Sequence, residues 1–222
     1  MFLYNPPLEP HLSILYEDDD ILVVDKPSEL LSVRGSVEER QDSIQARLEA
    51  IYSYVGIVHR LDLPTSGLMV IGLHRDAVVA LNKQFQNKSV EKHYQARVFG
   101  TLTKTEGSIY LPLKTDWPNR PKQIVCHESG KPSETHWKLL KQHKTYADVE
   151  LIPITGRSHQ LRVHMTEMGH PILGDRFYAH KQAFEAAPRL QLHAKKLGIY
   201  HPVTNERIEF SSPVCFEQLT VN

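Results

Sequence analysis

An acid, a guanidinium and a series of turn-forming residues are concentrated in His59-Arg60-Leu61-Asp62-Leu63-Pro64-Thr65-Ser66-Gly67. Asp62 is the only carboxylate in that stretch. Held beside a cation it stays ionised at neutral pH, where it can take a proton, stabilise developing positive charge or attack carbon. Residues 55–58 and 68–73 are apolar runs that read as strands, and 63–67 is turn chemistry. Asp62 is therefore expected at the exposed end of a buried strand, where functional side chains collect. The same residues also fit a plain turn capped by the Asp62 side chain, and spacing alone does not separate the two.

A second cluster is Gly156-Arg157-Ser158-His159-Gln160-Leu161-Arg162-Val163-His164. Ser158 can cap a helix on which Leu161, His164, Met165 and Met168 form one stripe, with Gly169 and Pro171 ending it. Arg157 then lies at the positive end of the helix dipole, where an anion belongs. That anion is either an RNA phosphate or the carboxylate of Asp62, and a buried structural ion pair fits equally well. In Lys92-His93-Tyr94-Gln95-Ala96, Tyr94 either packs in a core or offers a flat face to an extruded base.

Other chemistries are excluded by missing parts. His59-Arg60-Leu61-Asp62 looks superficially like a protein-kinase catalytic loop, but the chain has no glycine-rich nucleotide loop and no Asp-Phe-Gly. Gly130-Lys131 lacks the earlier glycine and the following Ser or Thr of a phosphate-cradling loop. His159 and His164 are five apart with no supporting Glu, and Cys126 and Cys215 have no partner at ligand spacing. No metal and no disulfide is expected.

The elements that must position these groups are mostly strands. Ile14 to Tyr16 and Ile21 to Asp25 flank the acidic turn Glu17-Asp18-Asp19-Asp20 as a hairpin. Ile44, Leu48 and Ile51 behind Asp42 and Ser43, and Val78, Leu81 and Phe85 behind Asp76, have helical spacing. Alternation around Tyr94 and Val149 marks half-buried strands, with further strands around Ile109, Trp137, Leu192 and Ile208. These elements predict a mixed α+β fold with much antiparallel sheet in a single domain over 1–222, and residues 102–104 are the one loop that suits a subdomain edge.

The chain has 222 residues, enough for a sizeable core, and is 41% hydrophobic and 23% charged. No window is apolar enough for a membrane span, and the start shows no export signal, so a cytoplasmic protein is expected. Its 26 basic and 26 acidic side chains cancel, but unevenly. Residues 1–50 carry 11 acidic and 4 basic groups, while 83–144 carry 12 basic and 5 acidic. Phe85, Tyr94, Phe99, Trp117, Asn119 and Gln123 are interleaved with those cations. That mixture suits a phosphate backbone with unstacked bases, although a lysine-rich solvated face would look the same.

Taken together, the motifs resemble those of the RluA family of RNA pseudouridine synthases. His-Arg-Leu-Asp-x-x-Thr-Ser-Gly at 59–67, Lys-x-Tyr-x-Ala at 92–96 and Gly-Arg-x-His-Gln-Leu-Arg-x-His at 156–164 resemble its three signatures, in order. Residues 116–123, 169–175 and 192–194 extend the similarity over nearly the whole chain. The resemblance implies the pseudouridine synthase fold, with a mostly antiparallel sheet flanked by helices and loops and a catalytic cleft across the sheet. No N-terminal S4 RNA-binding domain is expected, since the first motif already begins at residue 59.

It further implies that Asp62 is the catalytic aspartate, that Tyr94 packs on the target uracil and that Arg157 pairs with Asp62. Arg60 resembles the residue that fills the gap left by a flipped nucleotide. His59, Thr65, Lys83, Lys92, Arg120, Lys122 and Arg162 are the other expected RNA contacts. No cofactor is needed, because the reaction is an isomerisation. The implied partners are 23S ribosomal RNA and the tRNA anticodon stem-loop, bound by a monomer. A synthase specific for ribosomal RNA, or an inactive RNA-binding or RNA-folding protein, are the alternatives. Pro64 and Gln191 depart from the family pattern at positions with no assigned role.

Overall fold

The computed structural model describes residues 4–216 and residue 219. These form two compact units: one runs to Lys92 and takes up Ala194–Pro213, and the other comprises His93–His193 and continues from Val214.

In the first unit, β1 (Ile14–Glu17) and β2 (Ile21–Lys26) make the expected hairpin. Its turn is tied by Asp18 Oδ1, which accepts from the amides of Asp20 and Ile21, each at 2.8 Å. Helix α1 (Ile44–Glu49) starts behind Ser43, whose Oγ accepts from Ala46 N at 3.0 Å, so the predicted cap is present. Strand β3 is only Gly56–Ile57, shorter than the apolar run 55–58. Strand β4 (Ser66–Gly72) is buried throughout and pairs antiparallel with β2, from Ile21↔Gly72 to Lys26↔Gly67. Both faces of β2 and β4 are covered, which is why their sequences are continuous rather than alternating apolar runs.

Helix α2 (Arg75–Gln86) is capped by His74 and not by Asp76, which lies in its first turn. The ring Nδ1 of His74 accepts from Ala77 N at 3.3 Å, and α2 contributes Leu81 to a core with Ile21, Val23, Leu68 and Val70.

In the second unit, β5 (Glu91–Phe99), β10 (Tyr146–Pro153), β9 (Glu134–Gln142) and β6 (Glu106–Tyr110) are successive antiparallel neighbours. Ala96 faces Val149 and Val98 faces Ala147 in register, and the inward side chains of the sheet meet Leu161 and Met165 of α3 (Gln160–Glu167). Ser158 does not cap α3. The N-cap is His159, in the left-handed conformation at φ 54°, with no side-chain cap bond. Gly169, at φ 83°, ends the helix as expected.

Two small features escaped the sequence reading: the hairpin β7 (Leu113–Thr115) and β8 (Gln123–Val125), and helix α4 (Lys181–Glu185). Each is too short to show a period. Strand β11 (Leu192–Tyr200) pairs antiparallel with β12 (Arg207–Ser211) in the first unit. The boundary between units lies inside β5 and β11 rather than at 102–104, since a division within continuous strands leaves no loop composition to see. No described helix is long and apolar enough to cross a membrane.

Candidate active site

Asp62 is half-buried in the irregular stretch between β3 and β4, with Leu63-Pro64 forming the turn and Thr65 N donating to Asp62 O at 3.0 Å. The residues around it are held from one side by the segment after β2. Ser32 Oγ donates to Leu61 O at 2.8 Å and accepts from Leu61 N at 3.0 Å. The fully buried Lys26 ammonium donates to Leu63 O (3.1 Å), Leu30 O (2.7 Å) and Pro27 O (2.9 Å), and Glu29 N also donates to Leu63 O, at 2.9 Å. Ser28 Oγ donates to Pro64 O at 2.7 Å. Backbone groups on both sides of Asp62 are therefore fixed by partners from residues 26–32, none of which the sequence reading selected.

Most of the remaining residues of the first motif hold the segment in place. His59 Nε2 accepts from Val70 N at 3.0 Å, and its ring stacks on Phe85 with centroids 4.8 Å apart. Burial, followed by the nearby Lys92 charge, pushes the imidazole down to about 3, so it is neutral with its proton on Nδ1. Leu61 and Thr65 are buried, Thr65 at 2% exposure. Gly67 has φ 115°, and a Cβ there would lie 2.4 Å from Ala194 O, so only glycine permits the approach of β4 and β11. Arg60 is exposed.

Tyr94 is half-buried on β5, opposite Leu151, with one side packed against the core of the second unit. Two residues earlier, burial pushes the Lys92 ammonium below its usual range. Arg157 is exposed on the turn before α3, with its Nε donating to Pro132 O at 3.2 Å. That turn is built by buried Gln160, whose Oε1 accepts from Arg157 N (3.0 Å) and Thr155 Oγ1 (2.7 Å) and whose Nε2 donates to Glu134 O (2.8 Å).

Two of the expected RNA contacts, Thr65 and Arg162, are buried. Thr65 is buried immediately before β4. Arg162, only 1% exposed, grips Asp175 in a fork, Nε to Oδ2 and Nη2 to Oδ1, both at 2.7 Å. His59 is likewise engaged in holding the segment. Lys83, Arg120 and Arg60 are exposed and Lys122 is half-buried. Asp18, Asp20 and His201 bring their ligand atoms within 4.8 Å of one another. Asp18 Oδ2 already accepts from Tyr16 Oη (2.6 Å) and His201 Nε2 (2.9 Å), so this cluster ties the β1–β2 turn to the end of β11.

Comparison with known proteins gives this arrangement its context. The family model for RNA pseudouridylate synthase matches residues 20–167, a span that includes Asp62, Tyr94 and Arg162. The dual-specificity RNA pseudouridine synthase RluA of Escherichia coli (strain K12) is 52% identical over 214 residues, covering 96% of this chain and 98% of that protein. The protein of the same name from Vibrio vulnificus is 52% identical over 207 residues, 91% of this chain and 83% of its own length. Among solved structures, human RNA Pseudouridylate Synthase Domain Containing 1 superposes with a TM-score of 0.77 at 28% identity, covering 96% of this chain and 85% of that one. Human RNA Pseudouridylate Synthase Domain Containing 4 shares the fold, with a TM-score of 0.73 at 24% identity over 91% of this chain and 88% of its own. The chain thus belongs to the RNA pseudouridine synthase family, isomerases that act on RNA.

Proposed function

We propose that this protein converts specific uridines to pseudouridine in 23S ribosomal RNA and in the anticodon loop of tRNA, as a cytoplasmic monomer that uses Asp62. Support for two RNA classes comes from relatives called dual-specificity synthases that match at 52% over 96% of the chain. Support for Asp62 comes from its setting: a half-buried carboxylate whose neighbouring backbone is pinned at Leu61, Leu63 and Pro64.

In this reading the N1–C1′ bond of uridine breaks, the base turns, and C5 bonds to C1′. N1 gains a proton and the C5 hydrogen leaves to solvent, so atoms balance without redox change or cosubstrate. An ionised Asp62 serves each of three routes: covalent attack at C1′, stabilisation of positive charge there, or removal of the C2′ proton to give a glycal. Eversion of the target costs a few kcal/mol, least in a loop, and stacking on Tyr94 returns roughly 1–3 kcal/mol.

Burial favours Arg162 over Arg157 as the cation that supports this chemistry. A guanidinium oriented by Asp175 and shielded from water holds its charge in place. Exposed Arg157 suits a phosphate. Arg162→Lys should then lower kcat, while Arg157→Ala should raise KM more than it lowers kcat.

The deciding experiment follows release of tritium from 5-tritiated uridine in a tRNA anticodon stem-loop and in 23S transcripts. Asp62→Asn should cut turnover by roughly 10⁴-fold while RNA binding persists. Near-normal turnover would reject Asp62, and no release by the unaltered protein would indicate an RNA-binding protein. Pseudouridine lost only from 23S RNA in a deletion strain would leave a single-specificity synthase.

A further inference from the structure

The second unit has a concavity of about 370 Å³ whose chemistry the reaction does not account for. The β7–β8 hairpin, the Ser129–Lys131 stretch and the turn at 156–158 enclose it. Lys114, Lys131 and Arg157 line it, and no Asp or Glu does. In a chain with as many acidic as basic side chains, three cations around one hollow without a carboxylate make a place for anions. Its volume falls within the roughly 300–1,000 Å³ usual for ligand sites.

The cations are available. Lys114 Nζ gives one hydrogen to Ser129 Oγ at 3.0 Å, and among the described residues the Lys131 ammonium has no partner. The two stretches that carry them are joined, because Leu113 of β7 and Lys131 exchange both main-chain hydrogen bonds, at 2.9 and 2.8 Å. Trp117, also in the lining, is 66% exposed, with the Arg120 guanidinium over its ring at 4.5 Å from the centroid. An indole left this open beside an anion site, with a cation steadying it, matches a group that is flat and apolar at one end and negative at the other.

We propose that this hollow binds a nucleotide of the substrate RNA that lies outside the reacting uridine. Its phosphate sits between Lys114, Lys131 and Arg157, and its unpaired base stacks on Trp117. This rests on the RNA-isomerase reading and adds a second single-stranded contact to it. Base–aromatic stacking is tolerant of base identity, so the site secures a loop conformation rather than a sequence.

The test measures affinity of a tRNA anticodon stem-loop, its salt dependence and turnover for Lys131→Ala, Trp117→Ala and Trp117→Phe. Lys131→Ala should weaken binding several-fold and make the slope of log K against log salt shallower by about 0.7, one phosphate contact. Trp117→Ala should weaken binding by about tenfold, and Trp117→Phe should recover most of that loss. RNA should quench the indole emission of the unaltered protein more than that of Trp117→Ala. With saturating RNA, kcat should be unchanged in all three. Unaltered affinity and slope would overturn the proposal, as would a fall in kcat at unchanged affinity. Binding is read without turnover, so a protein that fails to isomerise uridine would refute the catalytic reading while this measurement still decides the hollow.

Discussion

The Lys26 ammonium and the Leu63 carbonyl, 37 positions apart in sequence, meet at 3.1 Å inside the first unit, one residue beyond Asp62. A buried lysine is costly unless its hydrogens are engaged, and Lys26 gives them to three carbonyl oxygens. The charge therefore binds the end of β2 to the loop that carries the carboxylate.

Lys26→Met keeps the apolar stem and removes the donors. We expect a loss of about 3 kcal/mol in urea unfolding, because hydrogen bonds from a charged donor are worth about 1.5–3 kcal/mol and buried acceptors would be left unmatched. Turnover should fall by more than RNA affinity, since the loop would no longer hold Asp62 in one place. Unchanged kcat would show that the loop needs no anchor at Lys26.

Ser32 makes the complementary contact on the other side of Asp62, both donating to and accepting from Leu61. Ser32→Ala should cost about 1–2 kcal/mol, as the main-chain N–H and C=O of buried Leu61 both lose their partner. Ser32→Thr should retain both bonds if the extra methyl fits. Equal stability and equal kcat in Ser32→Ala and the unaltered protein would argue against the anchor.

Much of the first unit was legible because its signals are local. The Asp18 turn, the Ser43 cap and the continuous apolar runs of β2 and β4 are each written within a few residues. The first motif was legible as a site but not as a mechanism of support. Thr65 and Gly67 look like exposed turn residues, yet one is buried and the other makes room for Ala194, a residue 127 positions away. Lys26 and Ser32 are not legible as supports for the same reason: their partners are backbone carbonyls and amides, which carry no sequence signature. The third motif misled at Ser158 because a left-handed His159 starts α3 instead. Burial distinguishes Arg162 from Arg157, and two arginines five apart cannot reveal that from sequence.

Arg162 and Asp175 are each 1% exposed and joined by two bonds of 2.7 Å, while Asp175 Oδ1 also accepts from Phe177 N at 2.9 Å. Asp175→Ala leaves a buried guanidinium without its carboxylate and should cost about 3–5 kcal/mol in unfolding. Arg162→Met combined with Asp175→Leu should restore part of that stability while leaving catalysis impaired. A double variant as unstable as Asp175→Ala would mean that packing, rather than the uncompensated charge, causes the loss.

His59 contributes to the response of the first unit to acid. Its Nε2 must stay unprotonated to accept from Val70 N, and its pKa is held near 3, far below the ordinary 6.5. A folded-state value below the unfolded one means that the unfolded chain binds more protons between the two. The contribution of neutral His59 is thus complete above about pH 6.5 and is lost progressively as pH falls toward 3. His59→Gln can keep an acceptor for Val70 N without a titrating ring. Its unfolding free energy should be somewhat lower than that of the unaltered protein at pH 7.5, because the Phe85 stack is lost, but should decline less steeply between pH 6.5 and 4. Urea midpoints across that range decide the point: parallel curves for the two proteins would show that protonation of His59 does not drive acid unfolding.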